Sequence, residues 1–179
     1  MHQFAQYQKR RDLVSVRRSE IDDNAIQGFV LASWEELVVF QYVYDFNLDG
    51  LMVLRIADIT EVGCSATDKF QKSLLEQEGL IATVPFGGDF ALNNWRSVIS
   101  QLSKEYPLMI LECEAGDEKD FVIGRILTTT TTGARVRHFS GAGNWARKPV
   151  ELKFKDITSC QVGTNYVNVY QRHFERHAP

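Results

Sequence analysis

The sequence predicts a mainly β (α+β) chain of two tandem small five-stranded barrels joined by two helices. Three observations predict it. The composition of the 179 residues, 44% hydrophobic and 24% charged, is ordinary globular make-up, with material for one domain or two small ones. Short segments rich in Val, Ile, Tyr and Phe, bounded by turn-type residues, recur along the chain as strands do. The third observation is an internal correspondence of domain size. Ile26-Gln27-Gly28-Phe29-Val30-Leu31 lines up with Val122-Ile123-Gly124-Arg125-Ile126-Leu127. Leu54-Arg55-Ile56-Ala57-Asp58-Ile59-Thr60 lines up with Leu152-Lys153-Phe154-Lys155-Asp156-Ile157-Thr158, and Leu13-Val14-Ser15-Val16 corresponds to Leu108-Met109-Ile110-Leu111. Three blocks in the same order argue for duplication.

In the first copy, strands are predicted over residues 13–16, 26–32, 37–44, 50–56 and 59–62, with 33–36 as a tight connection. A helix is predicted over 65–79. Ala66, Phe70 and Leu74 stand at i, i+4 spacing, Ser65 or Thr67 caps its start and Gly79 stops it. Residues 80–86 read as a short strand or an extended linker. A second helix, over 89–106, carries Leu92, Trp95, Val98, Ile99 and Leu102 on one stripe, with Asp89 as cap and Pro107 as stop. The second copy has strands over 108–114, 121–130, 134–140, 150–154 and 157–169. Gly28 and Gly124 fall mid-strand, where glycine marks a bulge or bend of the kind a small closed barrel needs. The expected boundaries are 1–63 for the first barrel, 64–106 for the helical connector and 107–179 for the second barrel.

Five short antiparallel strands with one bent strand describe an SH3-like or Sm-like barrel. The blocks above, with Asp45-Phe46-Asn47-Leu48-Asp49-Gly50 in the first copy and Phe121 to Arg125 and Trp145 in the second, resemble a group of uncharacterised bacterial proteins with such tandem repeats. That resemblance implies a bacterial protein and brings no activity. The order of residues 94–104 followed by the strand from Leu108 is similar to Sm-like folds, which often bind RNA and form rings. The signature loop residues of that family are not recognisable, so no site residue is carried over.

Net charge is −3, but it is unevenly spread. Residues 1–106 carry 10 Lys/Arg against 15 Asp/Glu, and residues 107–179 carry 10 against 8. Within 121–155, seven basic residues (Arg125, Arg135, Arg137, Arg147, Lys148, Lys153 and Lys155) face one acid, Glu151. Cys64, Cys113 and Cys160 are odd in number and have no C-x-x-C spacing, which argues against a disulfide framework and a cysteine zinc site. Cys113 and Cys160 read as small core residues in a reducing cytoplasm. No secretory h-region and no apolar run of about 18 residues is present.

Asp45 to Gly50 matches the first half of a calcium loop, but position 12 is Ile56 and the flanks are strands, so a polar hairpin loop is expected. His173 and His177 stand at i, i+4, but Phe174 occupies the place of a zincin glutamate, and a frayed tail is expected there. No nucleophile elbow, Walker loop or dinucleotide fingerprint occurs. Gly141-Ala142-Gly143 lacks a following helix and reads as a hairpin loop, and His138 as a structural strand histidine. Asp58 and Asp156 are expected to accept backbone N–H bonds at strand corners. The five threonines 128–132 are expected at a solvated strand end.

The candidate site is the basic surface of the second copy. Arg135 and Arg137 alternate with apolar residues and so share one face of a strand. Trp145 precedes Arg147 and Lys148, and cations beside an aromatic hold phosphate and stack a base. The overall pI of 5.8 runs against a dedicated nucleic-acid domain. The sequence therefore favours a non-catalytic protein-interaction or adaptor module, with a protein partner or self-association as a homodimer. RNA binding through the second copy's basic loops is the alternative. No membrane, no metal and no cofactor is expected.

Overall fold

The computed structural model describes residues 2–115 and 119–177. Among them are ten strands, antiparallel wherever they pair, and four α-helices, so the chain is mainly β as expected. It divides into two compact units, residues 1–93 and 94–179. No described helix is long and apolar enough to cross a membrane.

The first unit opens with a helix the sequence reading did not anticipate, α1 (His2–Arg10). Phe4 and Tyr7 stand one turn apart and both join the core; the Phe4 ring meets Phe40 edge-on at 6.3 Å. Arg11, at φ 52°, breaks the helix. The strands β1 (Leu13–Arg18), β2 (Asp22–Trp34), β3 (Leu37–Tyr44), β4 (Asn47–Arg55) and β5 (Glu61–Gly63) follow. They lie in the order β5-β1-β2-β3-β4. Val14, Val16, Val38, Phe40, Met52 and Leu54 sit two residues apart on their strands and fill one core together. The opposite face is closed too: Phe29 is fully buried, with Phe86 edge-on at 5.8 Å. The Arg11 guanidinium covers that Phe86 ring at 4.7 Å.

Helix α2 (Ala66–Gln77) begins where predicted. Ser65 and Asp68 form a reciprocal capping box, and Gly79 at φ 73° ends the helix. Residues Leu80–Thr83 are a 3-10 turn rather than a strand or extended linker. The Asp45–Gly50 segment is a hairpin, as expected. Tyr44 pairs with Asn47 across a two-residue turn whose central residues, Asp45 and Phe46, have φ 47° and 60°. That is the primed turn that matches strand twist and favours glycine. Phe46→Gly is accordingly expected to stabilise the protein by about 0.5–1 kcal/mol, read as a rise in the denaturation midpoint. Asp58 departs from expectation: its carboxylate accepts the Arg55 Nε–H at 2.8 Å rather than backbone amides.

The second unit opens with α3 (Trp95–Glu105), shorter than predicted. Its cap is Asn94, whose Oδ1 accepts the Ser97 amide, and not Asp89. Trp95, Val98, Ile99 and Leu102 form the buried stripe. The strands are β6 (Met109–Cys113), β7 (Asp120–Thr129), β8 (Gly133–His138), β9 (Val150–Lys153) and β10 (Ser159–Val162), in the order β10-β6-β7-β8-β9. The strand predicted over 157–169 stops at Val162. Gly163 takes φ 66°, Thr164 caps the Val167 amide, and α4 (Asn165–Arg176) follows. The expected frayed tail is this helix, with Val167, Tyr170 and Phe174 packed on Leu108, Ile110, Ile123 and Phe139. The threonine run forms the β7–β8 turn, where Thr130 Oγ1 accepts the amides of Thr132 and Gly133.

Both units therefore run helix, five strands, further helix, with the first strand between the second and the last. Gly28 pairs with Tyr42 and Gly124 with His138. The bulges are not at these glycines but at Leu31 and Leu127, where the registers shift between Val30 and Ala32 and between Ile126 and Thr128. The glycines answer a close approach instead. A Cβ would stand 2.6 Å from the Gln41 carbonyl oxygen at Gly28, and 2.2 Å from that of Arg137 at Gly124.

Candidate nucleic-acid interface

Strand alternation sets the candidate face. Ala134 and Val136 on β8 are fully buried, which turns Arg135 and Arg137 to solvent on the same side. Register adds Arg125 of β7, directly opposite Arg137. The sequence reading counted Arg125 among the basic residues but did not place it in the site.

Residues 139–149 then fold back. Ser140 N–H donates to Asn144 O at 3.0 Å, Gly143 turns at φ 75°, and Ala146 N–H donates to His138 O at 2.9 Å. The turn pairs Trp145 with Phe139 and lays the indole beside the arginines. The Arg137 guanidinium is 5.2 Å from the Trp145 ring centre and that of Arg125 is 6.0 Å away. Phe139 at 5.1 Å and Phe174 at 4.7 Å pack the indole as well. Trp145 is thus a half-buried platform for guanidinium groups rather than a free stacking surface. The exposed rings are a little further along: Phe121 and Tyr166 are 53% and 49% exposed and meet edge-on at 6.3 Å. Tyr170 lies 5.3 Å beyond Tyr166 and 4.9 Å from Phe139. A hydrogen bond with Tyr170 raises the Tyr166 phenol above its ordinary value of 10.0, with burial adding to it.

Arg147 and Lys148 are exposed on the loop just past Trp145. Arg135 is opposite Glu151 in register. Among the described residues, none of these five cations has a carboxylate oxygen within 4.0 Å; the ion pairs lie elsewhere, at Arg10–Asp12, Arg17–Glu61, Arg55–Asp58 and Lys72–Glu76. Like charges directly opposed across a ladder repel. Guanidinium–indole contacts return about 0.5–1 kcal/mol each at exposed sites, and hold the planar groups in a fixed attitude. Phe121, Tyr166 and α4 were hidden from sequence reasoning because the last segment read as a strand and tail. Arg125 was marked only by standing where the first copy has Phe29.

The same register in the first unit holds Phe29 opposite Gln41, both buried. There the Phe86 ring closes the face.

A second polar cluster lies in the first unit. Asp68 is 2% exposed and accepts hydrogen bonds from the Ser65 amide and hydroxyl, the Ser15 hydroxyl and Gln27 Nε2 at 2.6–2.9 Å. Burial pushes its carboxyl upward, but these bonds outweigh burial and hold it below its ordinary 3.8. A cleft of about 430 Å³ beside it is lined by Ser15, Arg17, Glu61 and Cys64. A carboxylate this fully engaged anchors α2 to β1 and β2.

His138 is half-buried on β8, and its Nδ1 has no hydrogen-bond partner among the described residues. Cys113 and Cys160 are buried and Cys64 is half-buried, and none of the three is joined in a disulfide. Burial, aided by Glu112, pushes the Cys160 thiol up to about 12. Among the described residues, no cluster of three or more His, Cys, Asp or Glu side chains is arranged to hold a metal ion. Comparison of the chain with family models, with curated proteins and with solved structures finds no match.

Proposed function

We propose that this protein is a non-catalytic binding module made of two diverged Sm-like or SH3-like copies, and that the second copy binds single-stranded RNA on its arginine face. Duplication is supported by the shared strand order, by Gly28 and Gly124 at one register, and by the bulges at Leu31 and Leu127. The observation that carries the ligand reading is the Arg125–Arg137 pair. Two guanidinium groups are set opposite each other on Trp145 with no carboxylate near among the described residues, on a face that Phe86 closes in the other copy. Guanidinium forks fit phosphate, and the exposed rings of Phe121 and Tyr166 offer π-faces to bases. A reducing bacterial cytoplasm belongs to this reading, and three cysteines with no disulfide among them support it.

A protein partner is the second reading, and exposed rings of the first unit support it. Tyr44 and Phe46 are 64% and 45% exposed at the β3–β4 hairpin, and Trp34 is 53% exposed at the opposite end of β3.

Fluorescence anisotropy with mixed-sequence single-stranded RNA over a salt series tests the RNA reading. Micromolar binding is expected, weakening linearly in log salt. Charge reversal at Arg125 and Arg137 together is expected to weaken it by about 100-fold or more, and the Arg135/Arg147/Lys148 reversal by about tenfold. No binding at low salt rejects RNA and leaves the protein-partner reading; binding that the Arg125/Arg137 reversal leaves unchanged rejects the arginine face as the site.

A further inference from the structure

We infer that α4 carries a surface site for a transition-metal ion of the imidazole-preferring kind, Zn²⁺ in the test below, formed by His173 and His177. The spacing alone did not argue for it, because the zincin glutamate is missing; the geometry does. The two residues stand one helical turn apart, and their rings lie 4.5 Å apart between centres with a tilt of only 36°. Both are exposed, so a metal need displace only water. His177 Nδ1 is 2.7 Å from the His173 carbonyl oxygen. A carbonyl only accepts, so Nδ1 carries the proton and Nε2 is left with its lone pair outward. Fixing one ring nitrogen by a backbone carbonyl is how metal-ligating histidines are oriented.

The His173 ring lies close to the 139–149 loop: a Cβ added at Gly143 would stand 3.4 Å from His173 Nε2. Tyr170, one turn earlier, donates its hydroxyl to Gly141 O at 2.9 Å and pins α4 to the same loop. Two Zn–N bonds of about 2.0–2.1 Å bridge a gap of up to about 4 Å. Small side-chain rotations therefore bring both imidazoles onto one ion. With no third histidine, cysteine or carboxylate grouped there among the described residues, water fills the remaining positions. The site is accordingly open and exchangeable, unlike a structural zinc.

Calorimetric titration of the full-length protein with zinc chloride near neutral pH tests this. One ion is expected per chain at micromolar affinity, and His173→Gln and His177→Gln are each expected to weaken it by at least about tenfold, since each removes one of two nitrogen ligands. Both variants should melt as the metal-free wild type does, because the rings are at the surface. His2→Gln should leave binding unchanged. Absence of zinc binding by the wild type, or binding that survives both α4 substitutions, would overturn the assignment.

Discussion

Gly124→Ala is expected to unfold the second unit under conditions where the wild type is fully folded. The added Cβ would lie 2.2 Å from the Arg137 carbonyl oxygen and 2.8 Å from the His138 Cα. Both are backbone atoms of the neighbouring strand, so no rotamer change relieves the clash; β8 must move away from β7. That movement breaks the ladder that sets Arg125 opposite Arg137. A loss of about 3 kcal/mol or more is expected, read as a fall in the urea midpoint. Gly28→Ala should act in the same direction and more weakly in the first unit, where the nearest backbone oxygen is 2.6 Å away. A Gly124→Ala protein as stable as the wild type would show that the strands do not approach this closely.

Asp68→Ala is expected to be the next most damaging change. It strips the capping box from α2 and leaves the Ser15 hydroxyl and Gln27 amide without their acceptor in a buried position. Lost capping and stranded donors together give about 3 kcal/mol. The charge also fixes the sign of the pH dependence. The folded-state carboxyl titrates below its ordinary 3.8, so its contribution is complete above that value and is lost as pH falls through the lower, folded one. In acid the wild type should therefore lose stability that Asp68→Ala never had. The gap between the two urea midpoints should narrow as pH falls below 3.8 and stay open at pH 7. A gap that persists undiminished in acid would mean that the carboxylate's charge is irrelevant.

Strands were legible where apolar runs were closed by turn residues. Residues 37–44 were read to the residue, because valines and aromatics fill the run from Leu37 to Tyr44, Gln41 alone interrupts it, and Asp45 closes it. Ser65 and Gly79 gave the ends of α2 because capping is local chemistry. Helix α1 was missed because its polar residues outnumber its apolar ones; Phe4 and Tyr7 become a stripe only once Phe40 is there to meet them. Helix α4 was missed because Val162, Tyr166, Val167 and Val169 also suit a strand, and the decision rests on Gly163 and the Thr164 cap. The candidate face divided in the same way. Arg135, Arg137 and Trp145 could be picked from spacing, but Arg125 joins them only through register, and Phe121 and Tyr166 only through α4. Cross-strand register depends on where a bulge falls, and one at Leu127 leaves no mark in the sequence.

The most direct test follows the three indole N–H signals of Trp34, Trp95 and Trp145 by NMR while single-stranded RNA is added. The signal of Trp145 is expected to shift in proportion to occupancy, with Trp34 and Trp95 unmoved. A Trp145 signal that stays in place while that of Trp34 moves would contradict the arginine face and put the ligand on the hairpin ends of the first unit.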